Sequence, residues 1–544
     1  MRARSARCPP RCLGLPLLVL TVAAAAPAAA TVPAGFSDTL VASVGLPTAL
    51  AFTPDGRMFI TTQGGQLRIV ENGSLLATPA LDFAAPTNRI CTDVERGLLG
   101  VAVHPQFASN HYLYLFYTFH RPDTLCVNRV SRFTAPANVI DPGTEVVLID
   151  NMPSPAGNHN AGDLEFGHDG YLYATIGDGG LDYAGDSGWQ NDNDAARDLH
   201  ALVGKVLRIT ADGGIPPTNP FQGPGTARCN VTGRTTAGTR CQETFGWGLR
   251  NPFRFAFDPN DPGTRFFINE VGTDGYEEID LGQAGADYGF NICEGTHATG
   301  TSNPCTAAPP DMVSPIFEYA HGAAITGTSA ANNCQAITGG AFVPNGLWPG
   351  FDGVYLASDW ACGWIFRLGD FEGTLAAADF ATSLGIGSAV HLRFGPHGNT
   401  QALYYTTYAG GGQVRRISYD KPADDVGPLD FFTLAPCRAV DTRGPDAPGL
   451  AAGQARVFNL AGRCGVPVTA RALALNVTVV QPASGSYLRL YPGDDVGTST
   501  TTVSYLPART RAGNATLLLS ADGAFGAYAD GALHLVIDVV GYYE

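Results

Sequence analysis

The chain has 544 residues, enough for more than one domain, and 33 basic residues against 49 acidic ones give a formal charge of −16. That balance argues against nucleic acid and anionic membranes as partners, since both repel an acidic surface. Abundant Gly (67) and Pro (38) point to short strands and many turns rather than long helices.

Residues 1–30 read as a secretory signal. Arg2, Arg4, Arg7 and Arg11 form a basic start, Leu13 to Ala26 an apolar core, and Ala28-Ala29-Ala30 a small-residue cleavage site. Its loss takes four Arg and no acid, moving the formal charge from −16 to −20. The apolar run is short for a membrane span and no later run is long enough, so no span is expected. The expected location is periplasmic or extracellular. Cys8 and Cys12 leave with the signal, and the other cysteines are even in number, as disulfides in an oxidising compartment require. Sequential pairing is the simplest connectivity: Cys91–Cys126, Cys229–Cys241, Cys293–Cys305, Cys334–Cys362 and Cys437–Cys464.

A repeat follows. Strand–turn–strand units begin at Thr48, Gly97, Gly162, Asn251, Gly339 and His391. Each has an apolar strand, a turn rich in Pro, Asp, His or Gly, and a second strand ending in aromatic or apolar residues. Six such copies separated by long polar loops predict a β-propeller. A large β-sandwich with coincidental hairpins is the alternative, disfavoured by the shared turn. The third copy stands out. In GNHNAGDLEFGHDGYLYATIGDGG (157–180), Leu164 and Phe166 alternate with polar neighbours, Asp169-Gly170 turns the chain, and Leu172 and Ala174 resume the alternation. Polar loops flank this hairpin, with His159 in the first and Asp178 in the second. The hairpin recurs along the chain and the His-bearing loop does not, so the loop is the candidate site. A short helical turn is expected after Asp192.

The stretch from Ser418, SYDKPADDVGPLD, is polar and aperiodic and reads as a linker. Beyond it Leu473, Leu475, Val477 and Val479 alternate with Ala474, Asn476 and Thr478, and Leu533 to Val539 alternate in the final strand. These short strands predict a β-sandwich. The expected chain is therefore all-β: signal 1–30, six-bladed propeller 31–419, linker 420–430 and a smaller β-sandwich 431–544.

Four stretches, ERGLLGVAVHP from Glu95, the His159 loop, GWGLRNPFRFAFDP from Gly246 and NEVGTDGYEEIDLGQAGADYGF from Asn269, together resemble the soluble pyrroloquinoline quinone (PQQ) dependent sugar dehydrogenases, the glucose/sorbosone dehydrogenase family. The resemblance runs from about Phe36 to Ile417. Hedgehog-interacting proteins share the propeller. The resemblance implies a six-bladed propeller with PQQ over the wide end of its channel. It implies that His159 is the general base on an aldose's anomeric hydroxyl, and that Arg250 and Asn251 face the quinone, with Arg250 stabilising the charge of reduction. It implies Ca²⁺ on the backbone carbonyls of Gly272 and Thr273, with Glu277 and Glu278 at or near acidic positions that hold structural calcium in some members. The product would be a lactone, with electrons passed to an external acceptor.

The sequence departs from the best-known member of the family where that member anchors the quinone's carboxylates. Trp360 or Ala361 stands in place of a Lys in the fifth blade, Ser388 and Val390 in place of two Arg in the sixth, and Glu95 in place of a Gln that contacts the cofactor. Losing three cations weakens binding of a tricarboxylate unless other groups compensate. Two other function classes therefore stay open, a non-catalytic propeller that binds protein or glycan, as Hedgehog-interacting proteins do, and a calcium-dependent lactonase. Plainer roles compete at single residues. Arg250 could pin a turn, Glu277 and Glu278 could be solvated loop acids, and Asp163 and Glu165 read as strand-face residues. Asp178 reads as the turn-stabilising Asp of a short Asx turn. The C-terminal segment resembles a β-sandwich appended to many secreted bacterial proteins and implies surface or glycan contact, or passive stabilisation.

Overall fold

A computed structural model describes residues 30–85, 88–330, 333–371, 374–398, 400–420, 429–493, 501–520 and 523–544. The signal segment and most of the expected linker lie outside them. The chain divides into two compact units, Met1–Tyr419 and Asp420–Glu544.

The first unit is the expected six-bladed propeller. Six sheets follow one another in sequence, the first of five strands and the others of four: the first five span residues 47–82 (blade one), 98–153 (two), 164–247 (three), 252–320 (four) and 337–381 (five). Blade six joins His391–His397, Thr400–Thr407 and Gln413–Tyr419 to the N-terminal strand Phe36–Ser43. Phe36 pairs with Tyr419 across that seam. Its ring packs edge-on against Trp348, Phe351 and Phe380, so aromatic burial helps fasten the closing strand. The six repeats seen in the sequence are the inner two strands of the six blades. The repeat at Gly162 forms strands Leu164–Phe166 and Leu172–Ile176, with Leu164 opposite Ala174 and Phe166 opposite Leu172. Gly170 turns between them at φ +77°, a conformation that suits glycine.

The inner strands touch in ring order and the ring closes, since Pro47–Phe52 contacts both Leu98–Val103 and His391–His397. Helix is scarce: among the described residues one short α-helix, Phe107–Asn110, and a few 3₁₀ turns. One of those turns, Ala195–Arg197, occupies the stretch where a helical turn is expected, and another, Gln190–Asp192, comes just before it. No described helix is long and apolar enough to cross a membrane.

The second unit is a β-sandwich of two four-stranded sheets. One orders Phe431–Asp441, His534–Tyr543, Ala472–Val480 and Arg511–Leu518; the other orders Gln454–Asn459, Ala524–Ala529, Ser486–Pro492 and Val503–Tyr505. Leu473, Leu475, Val477 and Val479 are buried and pack with Leu488, Phe525, Ile537 and Val539. All five expected disulfides form, four in the first unit and Cys437–Cys464 in the second.

Candidate functional site

A cavity of about 350 Å³ is lined by residues of all six blades or of the loops that enter them, which places it on the propeller axis. Thr48, Leu99, Asn251, Thr338 and Val390 come from the starts of inner strands or the residues just before them. Gln63, Val271, Trp360 and Tyr408 come from the turns that follow second strands. Leu99, Phe253, Val271, Trp360, Val390 and Tyr408 give it largely apolar walls, and Glu95 and Arg254 are the charged groups in its lining.

His159 is not itself in the lining; it stands two residues before Ala161, which is. Both adopt left-handed backbone, with φ 51° and 47°, a strained arrangement typical of loops that position side chains. His159 Nδ1 lies 2.6 Å from Asp178 Oδ1, and both side chains are almost wholly buried. A carboxylate only accepts, so Nδ1 carries the proton and Nε2 is left as the free base. Nε2 meets no hydrogen-bond partner among the described residues, and it is not among the side-chain atoms sealed inside the protein without one.

Asp178 follows the strand Leu172–Ile176 and ties two site residues together. Its side chain holds His159, and its backbone N–H donates to the Arg250 carbonyl at 2.7 Å. Gly177 lies between the same two backbones: a Cβ there would stand 2.3 Å from the His159 carbonyl oxygen and 2.9 Å from that of Arg250. Asp178 Oδ1 also accepts from Gly180 N at 2.8 Å, so the local turn expected of this Asp exists alongside the pairing with His159, which the sequence reading missed.

Arg250 donates through Nη1 to the Val271 carbonyl at 3.0 Å, while its Nε is buried without a partner. The backbone N–H groups of Arg250 and Asn251 converge on Glu270 Oε1 at 2.6 and 2.8 Å. Asn251 Oδ1 accepts from Ala161 N at 3.1 Å, fastening the His159 loop to blade four. His159, Arg250 and Asn251 are thus brought together, and Glu95 joins Asn251 in the cavity lining. Trp360 and Val390 form neutral cavity wall, while Arg393 is engaged by Glu165 at 2.7 Å and is not in the lining.

Gly272 and Thr273 lie in the turn after strand Phe266–Glu270, immediately beyond the lining residue Val271. Glu294, unnoticed in the sequence, organises that turn: its Oε1 accepts from Thr273 N at 2.6 Å, Tyr276 N at 3.1 Å and Gly275 N at 3.2 Å. No hydrogen bond among the described residues ends on the Gly272 or Thr273 carbonyl, and Thr273 Oγ1 is buried without a partner.

Glu277 and Glu278 are neighbours in strand Tyr276–Leu281 and point to opposite faces. Glu277 is spent on protein groups: Oε1 lies 2.8 Å from His321 Nδ1, and Oε2 accepts from Ile337 N at 3.0 Å. Glu278 sits between Glu270 and Glu318 on the adjoining strands, with Asp280 two residues along on its own face. Glu278 Oε2, Glu270 Oε2 and both Asp280 oxygens are buried without partners. Burial pushes all three carboxyls well above the usual range, and mutual repulsion among these acids adds to the rise.

The family model for glucose/sorbosone dehydrogenase matches residues 44–344. The HIPL1 protein of Arabidopsis thaliana is 27% identical over 370 residues, 56% of this chain and 50% of that protein. Quinoprotein glucose dehydrogenase B of Acinetobacter calcoaceticus is 31% identical over 269 residues, 46% of this chain and 51% of that protein. The chain thus spans about half the length of each. Among solved structures, the soluble aldose sugar dehydrogenase of Escherichia coli in its apo form superposes with a TM-score of 0.56 at 23% identity, covering 71% of this chain and 99% of that one, a likeness of fold.

Proposed function

The chain belongs to the glucose/sorbosone dehydrogenase family, and on that premise we propose that it is an exported oxidoreductase that oxidises an aldose at the anomeric carbon to the lactone, using PQQ and calcium and an external electron acceptor. The observation that carries this reading is the His159–Asp178 pair, whose His stands two residues before the cavity-lining Ala161, with Nε2 left free. An imidazole fixed in that tautomer can take a proton from a hydroxyl, and the imidazolium formed is stabilised by the buried carboxylate.

The cavity fits a flat quinone. Its apolar walls can sandwich a ring system, Asn251 offers polar contacts at one side, and Arg254 supplies a buried cation. When bound, PQQ supplies an electrophilic carbonyl carbon that accepts hydride. The chain's own part is to bind and orient the sugar, hold the proton on His159 Nε2, and hold the Arg250 guanidinium on the Val271 carbonyl, where its positive charge can stabilise developing negative charge. The free carbonyls of Gly272 and Thr273 suit calcium, a hard cation that takes backbone oxygen. Glu278 and Asp280, with orphaned oxygens, suit a second, structural calcium. Glu277, already bonded, is the weaker ligand.

Reduction of a dye by purified protein with aldoses, PQQ and calcium, with the lactone identified by mass, tests the proposal. Absence of both turnover and cofactor binding would move the reading to a propeller that binds protein or glycan. The neutral wall at Trp360 and Val390 favours that second reading. A lactonase needs carboxylates converging on an axial cation, and Glu95 is the one carboxylate in the cavity lining.

A further inference from the structure

Arg254 lies on the inner strand of blade four, Pro252–Phe257, and its side chain is 2% exposed. Its Nη2 donates to the Thr48 carbonyl at 2.9 Å. Thr48 starts the inner strand of blade one, which stands opposite blade four in a ring of six, so the guanidinium reaches across the axis. Nη1 donates to the Phe253 carbonyl at 2.8 Å, and Nε is buried with no partner. Arginine has five N–H groups, and these bonds occupy two.

The charge itself is unpaired. Among the described residues no carboxylate lies within 4 Å of an Arg254 nitrogen, although ion pairs are common elsewhere in the chain. Asp163 is the nearest acidic influence, but its carboxylate is engaged by the backbone N–H groups of Leu164 and Phe255, each at 3.1 Å. His391 and Tyr408 are the other titratable groups coupled to it: burial and the Arg254 and Arg393 charges hold His391 well below its usual range, and burial raises the Tyr408 hydroxyl. Glu95 is the one carboxylate in the same lining and makes no ion pair with Arg254 among the described residues, and a buried guanidinium is costly to leave unmatched. A structural plug would need only the two carbonyl bonds, and a neutral side chain could make at least one of them.

We propose that Arg254 is the anion anchor of the axial cavity, taking a carboxylate of a small, flat polycarboxylate ligand through the N–H groups it does not spend on the protein. The proposal deepens the reading of the cavity as the cofactor site and rests on it for the identity of the ligand alone. It also accounts for how the chain can hold a tricarboxylate without cations at Trp360, Ala361, Ser388 or Val390: a buried guanidinium in the cavity lining supplies positive charge that those positions do not.

The test is direct binding, followed by tryptophan quenching, since Trp360 lines the cavity, and by calorimetry. Wild type, Arg254→Gln and Arg254→Lys are titrated, in saturating calcium, with PQQ, with its uncharged trimethyl ester, and with naphthalene-2,6-dicarboxylate. Thermal melts confirm that each variant is folded. Charge-assisted bonds of this kind set the expected loss of PQQ affinity at about 10- to 100-fold for Arg254→Gln. Arg254→Lys, which keeps the charge and loses the fork, should fall between, and serves alone if Arg254→Gln fails to fold. The trimethyl ester should bind wild type and variants alike. Equal PQQ affinity in wild type and both variants overturns the anchor and leaves the dehydrogenase reading standing. Arg254-dependent binding of the dicarboxylate without binding of PQQ keeps the anchor and overturns the choice of cofactor. Failure of wild type to bind any of the carboxylates overturns both.

Discussion

His159 Nδ1 and Asp178 Oδ1 stand 2.6 Å apart in a pair nearly sealed from solvent, and this contact decides which ring nitrogen is basic. The Asp carboxylate holds the proton on Nδ1. Replacing Asp178 with Asn lets the amide donate to Nδ1 instead, which would put the proton on Nε2 and remove the base. His159→Gln should lower dye-linked turnover by ~10²–10⁴-fold. Asp178→Asn should lower kcat by a similar order while the melting temperature stays close to wild type. Steady-state kinetics with the best aldose checks both, and turnover that survives His159→Gln removes His159 from the chemistry.

Arg250 is positioned by Glu270 rather than paired with it. The Glu270 carboxyl takes the backbone N–H groups of Arg250 and Asn251 and leaves the guanidinium to the Val271 carbonyl. Arg250→Ala should therefore cut kcat through lost charge stabilisation. Glu270→Gln, which changes the partner of two backbone donors, should raise KM as well, because Asn251 and the His159 loop move together. Comparing kcat and KM for the two variants separates these effects.

The inner hairpins were legible because each pairs an alternating apolar strand with a turn of strong local chemistry, as at Asp169-Gly170. The five disulfides were legible because each cysteine pairs with its nearest neighbour in sequence. Arg254 was not: within FRFAF an Arg reads as the polar member of an alternating strand, and only ring closure shows that its side faces the axis. Asp178 was half legible. The Asx turn to Gly180 is local, but the bond to His159 joins two loops that the hairpin between them brings into register. Glu277 and Glu278 differ by strand alternation, a period visible in YEEID. Which face lacked hydrogen-bond donors depended on neighbouring strands far away in sequence.

Lys205 offers a pH signature. It is buried in strand Lys205–Ile209, donates through Nζ to the Ala196 and Val203 carbonyls at 2.8 and 2.6 Å, and burial depresses its ammonium from 10.5 to about 7. Between those values the unfolded chain binds more protons than the folded one, so this group makes stability rise with pH from about 7 towards 10.5. Below about 7 both states are protonated and the cost of burying the charge is felt in full. The stability of Lys205→Met relative to wild type should be highest below pH 7 and decline as pH rises. Urea melts of both proteins across that range test it; a difference that is flat with pH would show that Lys205 stays charged in the folded protein.

The two compact units each hold their own core and disulfides, and the second packs its own sandwich interior. A chain ending at Asp420 should fold and keep the dye-linked activity of the full protein, and residues 429–544 should fold as a separate β-sandwich. Circular dichroism and thermal melts of the two pieces measure this. A first unit that aggregates without the second would place the division elsewhere.

Blade four carries a candidate site for a bound cation. Glu270, Glu278 and Glu318 face one another across three strands, Asp280 lies beside them, and several of their oxygens are buried with nothing to bond. Without a cation such a cluster folds only by keeping carboxyls protonated; a calcium ion would satisfy the oxygens and let them ionise. A ligand that binds only the folded chain stabilises it by about 2.7 kcal/mol at 100 times its dissociation constant. Chelation should therefore lower the melting temperature by several degrees, and calcium should restore it where magnesium does not, since the smaller ion gives up its waters reluctantly. Glu278→Gln and Asp280→Asn should each shrink this calcium-dependent shift. Glu277→Gln should leave it in place, because Glu277 is already committed to His321 and Ile337. Equal melting temperatures with calcium and with chelator in wild type would overturn the assignment, and a shift lost in Glu277→Gln but kept in Glu278→Gln would transfer it to the opposite face of the strand.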